Sequence, residues 1–398
     1  MRLFENLLSV WLWPSRKKFR LGSILPRMQR KLSLMAGGSP AFSLVVLLGL
    51  VAGLNLSTGS GQVSAGHRLA NASAESARSA AKGAGQAILV VLNKSDHEAA
   101  LVDPDTYQVL AKLPTGKGPH EVAASPDGHS AYVSNYGSFG VFRPGEPAKV
   151  EPGHTITVLD LQHRSVRGTF DLGSFTRPHG IWVSRDSQRV WVTCEGAQAV
   201  LELDAQTGKV LKTWNTNQQT SHMVVPTPDE RKLYVANIGS GSVSVIERSH
   251  DGVANLPTAA GAEGIAISPD GREVWVANRG ANTLAVISTA TDRIVAGFES
   301  GGQMPIRVKF TPDGKQVWVS NARSNNVTVF DAAKRQLLAT VEGGAAPVGI
   351  VISPDGRRAF VANSNANQVT VIDVASRKTL RTFSTGTEPD GMAWSAVP

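Results

Sequence analysis

The residues best equipped for chemistry in this chain are His120, His179, His222 and Glu263, and what marks them is that they recur at one position of a repeating phrase. Aligned on the residues before a shared turn, the equivalent positions read His120, His179, His222, Glu263, Ile306, Val348 and Asp390, separated by 59, 43, 41, 43, 42 and 42 residues. The next position reads Glu121, Gly180, Met223, Gly264, Arg307, Gly349 and Gly391. Neutral imidazoles and a carboxylate are competent ligands for a divalent transition metal, at roughly 2.0–2.2 Å for zinc, so His120, His179, His222 and Glu263 form a candidate mononuclear set. The same types serve acid/base chemistry or ligand contact. Histidines at strand starts also do structural work, donating hydrogen bonds to loop carbonyls and ordering channel water. Residue types and spacing leave these readings open.

The elements that position these residues are legible in the phrase itself. In the copy from Ser353 to Phe383, an apolar run ending at Ser353 leads into Pro354-Asp355-Gly356, a tight turn in which proline presets φ, aspartate caps and glycine accepts positive φ. Ala359 to Asn363 then reads as a second strand, the alternating Gln368 to Asp373 as a third, and Thr379 to Phe383 as a fourth. A period of roughly 40 to 45 residues with this patterning predicts a propeller blade of four strands. Six copies are complete; the seventh phrase, Pro389 to Ser395, is only an inner strand. Its partners are expected at the other end, in Ile88 to Asn93, Ala99 to Asp103 and Tyr107 to Leu113. The fold class is therefore all-β, a seven-bladed propeller over residues 86–398, closed by one C-terminal and three N-terminal strands so that no sheet edge stays open. In such a ring the loops entering each inner strand and those joining second to third strands share one face, and the aligned residues converge at the channel mouth, where a ligand site would form.

The formal charge is +8, but residues 1–31 carry eight basic residues against Glu5 alone, which leaves the propeller near neutral and argues against a nucleic-acid partner. That basic stretch precedes an uncharged run from Ala41 to Leu54 and the small residues Val63-Ser64-Ala65, the order of a secretory signal. Residues 1–65 are read as this leader, with an uncleaved membrane anchor as the alternative, and the Ala/Ser/Gly-rich residues 66–85 as a flexible linker. The mature protein is expected to be extracytoplasmic: periplasmic, secreted or cell-surface. Cys194, the single cysteine, excludes an internal disulfide and a CxxCH haem attachment. It fills the slot held by Asn135, Asn237, Asn278, Asn321 and Asn363 elsewhere and is read as a tolerated strand-end residue.

The long first spacing places about 17 extra residues between Asn135 and the strand starting at Thr155. The insertion, Gly137 to His154, carries Arg143, Glu146, Lys149, Glu151 and His154 to the same face, where inserted loops tend to carry function. Asp96, His97 and Glu98 reach the same rim and read as solvated charges. Trp191, Trp275 and Trp318 share one repeat position with Tyr132, Tyr234 and Phe360 and read as blade packing. No GxSxG elbow, P-loop or dinucleotide fingerprint is present.

The tetrads Tyr132-Val133-Ser134-Asn135, Tyr234-Val235-Ala236-Asn237 and Trp318-Val319-Ser320-Asn321, each after a Pro-Asp turn, resemble the YVTN-family propeller repeat over roughly residues 87–398. The family includes surface-layer and secreted proteins and periplasmic members of the YncE type, some of which bind single-stranded DNA. The phrases around Ser221-His222-Met223-Val224 and Tyr234 to Gly241 also look like the lactonase relatives. The resemblance to those enzymes implies histidine, arginine and glutamate at the channel mouth, roles that fall to His222, Arg307 and Glu263, and an anionic substrate. Several functions remain: an extracytoplasmic scaffold that binds a small anionic ligand or a protein partner, a lactonase-like hydrolase or cyclase, a mononuclear metal protein, or a DNA-binding relative. The channel-mouth residues common to the first three are His120, Glu121, His179, His222, Glu263, Arg307 and Asp390.

Overall fold

Every repeat pairs its four runs in chain order, because strands joined by tight turns find their antiparallel neighbours first. The computed structural model describes residues 86–137 and 151–398. The leader, the linker and residues 138–150 of the insertion lie outside the described residues. Seven four-stranded antiparallel sheets form. In six of them the order follows the sequence, as in the blade made by Pro119–Ala124, Ser130–Gly137, Pro152–Asp160 and Ser165–Asp171. The seventh is the closure: Pro389–Ala396 pairs with Ala87–Asn93, followed by Glu98–Val102 and Val109–Pro114. The split copy thus pairs as its missing strands require.

The core lies between blades rather than within one. Tyr132, Ile156 and Val158 of one blade pack on Ile181, Val190 and Leu201 of the next, and the pattern recurs round the ring. Trp191, Trp275 and Trp318 are fully buried at equivalent positions, so each is a packing residue whose truncation would cost roughly 3–5 kcal/mol. The fourth strands face outward and leave Leu211, Val295 and Leu380 exposed.

Two local features aim the inner strands at the channel. In all seven blades the ladder between first and second strand slips by one residue at the same place. Pro119 pairs with Asn135 and Glu121 with Ser134, which leaves His120 as the extra residue; His222 and Ile306 sit in the same way. A β-bulge re-aims the side chain it carries, and these bulges carry the aligned ring. The second feature is close approach. A Cβ on Gly180 would lie 2.5 Å from the His222 carbonyl oxygen, and one on Gly349 would lie 2.1 Å from that of Asp390. Glycines here let neighbouring inner strands touch, and the three larger residues of this row, Glu121, Met223 and Arg307, fill the axis between them.

Candidate functional site

Glu121 and Arg307, from blades on opposite sides of the ring, are joined in a buried ion pair, with Asp390 4.0 Å from the guanidinium. That pair forms a barrier across the channel, and Met223 lines its far side. Arg307 faces two chambers: a polar one of about 120 Å³ under the loops that enter the inner strands, and an apolar one of about 430 Å³ on the far side.

The polar chamber gathers His120, His179, His222, Glu263, Arg307 and Asp390, while Glu121 reaches it only through its pair with Arg307. It also holds Lys94, Tyr136, Glu195 and Arg279, which sequence reasoning missed. Each of these directly follows the Asn93, Asn135, Cys194 or Asn278 slot that ends a second strand. They share an address rather than a chemical type, so the repeat alignment alone does not single out this second ring. Glu195 opens a single 3₁₀ turn, Glu195–Ala197, which folds its carboxylate back over the chamber.

The histidine rings form a ladder. Ring centroids are 5.1 Å apart for His120 and His179 and only 3.6 Å apart for His179 and His222. Their backbones are clamped by the preceding blade: Ser134 Oγ donates to the His179 carbonyl at 2.7 Å, and Thr193 Oγ1 to that of His222 at 2.6 Å. His120 donates Nδ1–H to the Gly118 carbonyl at 2.9 Å. Burial, with the Lys94 charge, lowers its pKa to about 4. His222 lies between two carboxylates, its Nδ1 2.6 Å from Glu195 Oε1 and its Nε2 3.5 Å from Glu263 Oε1. Burial would discharge it, but the bonds and charges of Glu195 and Glu263 outweigh that and raise its pKa to about 9. His179 is held well below the usual histidine range by burial and then by the charges of His222 and His120. The two adjacent imidazoles are thus driven in opposite directions, His222 toward the imidazolium and His179 toward the neutral ring, a pattern that marks acid/base sites. Glu195 would be pushed up by burial, yet the bonds it accepts from His222 and Tyr136 hold it below the ordinary glutamate value.

Two buried atoms in this chamber lack a hydrogen-bond partner among the described residues: His179 Nδ1 and Glu263 Oε2. Arg279 Nη1 lies 2.9 Å from Glu263 Oε2 but is not aligned for a hydrogen bond. Buried polar atoms are rarely left unpaired, and two in one cavity point to a polar ligand.

The expected metal set is brought together only in part. The ligand atoms that lie within 4.8 Å of one another belong to His179, Glu195 and His222. His120 is turned to Gly118, and Glu263 is engaged by Arg279. The cation beside Glu263 is likewise Arg279, while Arg307 is occupied by Glu121 at the barrier. Cys194 is fully buried with its thiol pushed up to about 12 by burial, as suits a packing residue. The rim residues tie loops: Asp96 accepts from the Thr387 N–H, His97 Nδ1 from the Gly118 N–H, and Glu98 from Lys112. Of the insertion, Glu151 pairs with Lys117 and His154 with Asp171 at the surface.

Comparison with known proteins gives two family matches. Residues 98–342 match the model described as lactonase, seven-bladed β-propeller, and residues 309–396 match that of the YncE-like β-propeller. No curated protein matches the sequence. Similar solved structures include hydrazine synthase of Kuenenia stuttgartiensis, at 23% identity and TM-score 0.63 over 72% of this chain and 92% of that one. The periplasmic gluconolactonase of Pseudomonas aeruginosa aligns at 19% identity and TM-score 0.62, over 78% of this chain and all of that one. A functionally unknown protein of Desulfotomaculum acetoxidans aligns at 14% identity and TM-score 0.64, over 78% and 99%. At these identities the structural likeness establishes the fold.

Proposed function

We propose, for a chain that belongs to the lactonase family of seven-bladed β-propellers, that the polar chamber hydrolyses a small lactone. The observation that carries this is the buried His179 Nδ1, which has no partner among the described residues, facing a chamber where Glu263 Oε2 accepts no hydrogen bond and is held only by the charge of Arg279, beside the close His179–His222 pair. A binding scaffold would satisfy the unpaired atoms with a ligand, but it leaves the adjacent neutral His179 and protonated His222 without a use.

In this reading a water molecule held by Glu263 Oε2 loses its proton to the carboxylate as its oxygen attacks the lactone carbonyl carbon. The neutral His179 ring directs an N–H at the carbonyl oxygen, and Arg279 and the His222 imidazolium supply positive charge as the oxyanion forms. The ring C–O bond then breaks, and Glu263 returns its proton to the departing oxygen, which leaves a hydroxy acid. Glu121, Glu195, Glu263 and Asp390 balance Lys94, Arg279, Arg307 and a protonated His222. That balance shifts the expected substrate from an anionic lactone to a neutral, hydroxylated one, and the small chamber volume limits it to a single ring. Residues 1–65, read as a leader, support placing this activity outside the cytoplasm.

The test is a panel of neutral sugar lactones and their phosphorylated analogues, with acid release followed by an indicator dye. Saturable hydrolysis of a neutral lactone by the parent, abolished in a Glu263→Gln, His179→Asn double variant, is the expected result. Rates equal to spontaneous hydrolysis across the panel would refute it.

A second reading is a transition metal at His179, Glu195 and His222, favoured by the proximity of their ligand atoms. Two imidazoles and a carboxylate suit zinc, which would supply Lewis acidity at a fourth position. The Nδ1–H that His222 gives to Glu195 would have to be displaced. Stoichiometric metal in protein purified without a histidine tag is the outcome this reading requires.

A further inference from the structure

We propose that the apolar chamber beyond the Glu121–Arg307 barrier is a separate binding site for a small amphipathic monocarboxylate. The proposal does not depend on the lactonase reading, because none of its reasoning uses the polar chamber.

The walls come from the lower halves of the inner strands. Two residues beyond the barrier row, six of the seven ring positions are apolar, from Ala123 through Trp182 to Ala393, and the seventh is Lys309. Among the described residues, Glu121, Arg307 and Lys309 are the only charged ones lining the chamber. Glu121 is committed to Arg307, so among the described residues the half-buried Lys309 has no carboxylate within ion-pair distance and stands among apolar side chains. Burial and the neighbouring Arg307 charge lower its pKa to about 8, and no carboxylate or hydrogen-bond acceptor offsets them. An ammonium group half-covered by apolar side chains is incompletely hydrated, and a carboxylate brought by a ligand would give it a charged partner. The rest of the lining, including Phe310, Met392 and Trp394, suits the apolar body of such a ligand. At about 430 Å³ the chamber lies within the size range of small-molecule pockets.

A neutral alcohol of the same length would lose the charge contact, and an alkylammonium ion would meet Lys309 and Arg307 with like charge. Isothermal titration of the full chain with octanoate, octan-1-ol and octylammonium separates these cases. Saturable one-site binding of octanoate is expected, with octanol at least about tenfold weaker, since charge-assisted hydrogen bonds exceed neutral ones, and octylammonium not binding. Lys309→Met should reduce octanoate to the level of octanol, whereas Glu263→Gln should leave octanoate affinity unchanged. In the parent, octanoate should weaken as pH rises through 8 to 10 and the amine discharges, a measurement that stands if the methionine variant fails to fold. Octanoate bound no more tightly than octanol by the parent, or equally by parent and Lys309→Met, would overturn the proposal.

Discussion

His222 is the residue on which the charge state of the polar chamber turns. Its pKa is raised to about 9 against 6.5 for a free imidazole, because two carboxylates bracket it. A raised folded-state value contributes stability that is fully present below pH 6.5 and is lost as pH climbs through 9. The unfolding midpoint should therefore decline between pH 7 and 10, and Glu195→Gln should flatten that decline by removing one bracket. Lactone hydrolysis should lose rate over the same alkaline range, with the limb moved to lower pH in Glu195→Gln; a pH–rate profile of both proteins checks this. A profile unchanged by the substitution would detach Glu195 from His222. The ring that carries His222 was visible in the sequence because the repeats align there. The second ring was not, since Lys94, Tyr136, Glu195, Ile238, Arg279, Ala322 and Ser364 share no chemical type. Their common address, one step past a strand-ending slot, is a geometric property that becomes visible only once the strands are paired.

At the scale of the strand, the bulge and the glycine row do the positioning. The bulge turns His120 and His222 out of the ladder, and the glycines let adjacent inner strands close the channel to two small chambers. Gly349→Ala should destabilise by about 1–3 kcal/mol, since its Cβ would meet the Asp390 backbone. Gly168→Ala, in an outer strand with nothing within 4 Å, should change stability by less than about 0.5 kcal/mol. Chemical denaturation of the two variants compares them directly, and equal losses would remove the close-approach argument. The strands themselves were legible from apolar alternation and Pro-Asp-Gly turns. A one-residue slip in pairing leaves no mark on that alternation, so the feature that aims the site residues could not be read from it.

For the whole molecule, the ring is held shut by pairing Ala87–Asn93 with Pro389–Ala396, and Lys94 bonds Asp390 across that closure at 3.0 Å with both side chains buried. Burial raises the Asp390 carboxyl, but Lys94, His120 and Arg307 outweigh it and hold it below its ordinary value. Removing one partner of a buried pair leaves an uncompensated charge, so Lys94→Met should cost roughly 3–5 kcal/mol and the Lys94→Met, Asp390→Leu double variant markedly less. Closure was foreseen because the last repeat lacks three strands that the chain start supplies; the ion pair was not, because its members are 296 residues apart. The same closure completes the polar chamber, and everything argued for that chamber rests on Glu263 acting on a bound lactone. The decisive measurement is kcat/KM for ring opening of glucono-δ-lactone by metal-stripped parent and by Glu263→Gln. A parent rate well above the spontaneous reaction, falling about 10²–10⁴-fold in the variant, is expected. A variant as active as the parent, or a parent no faster than water, would contradict it.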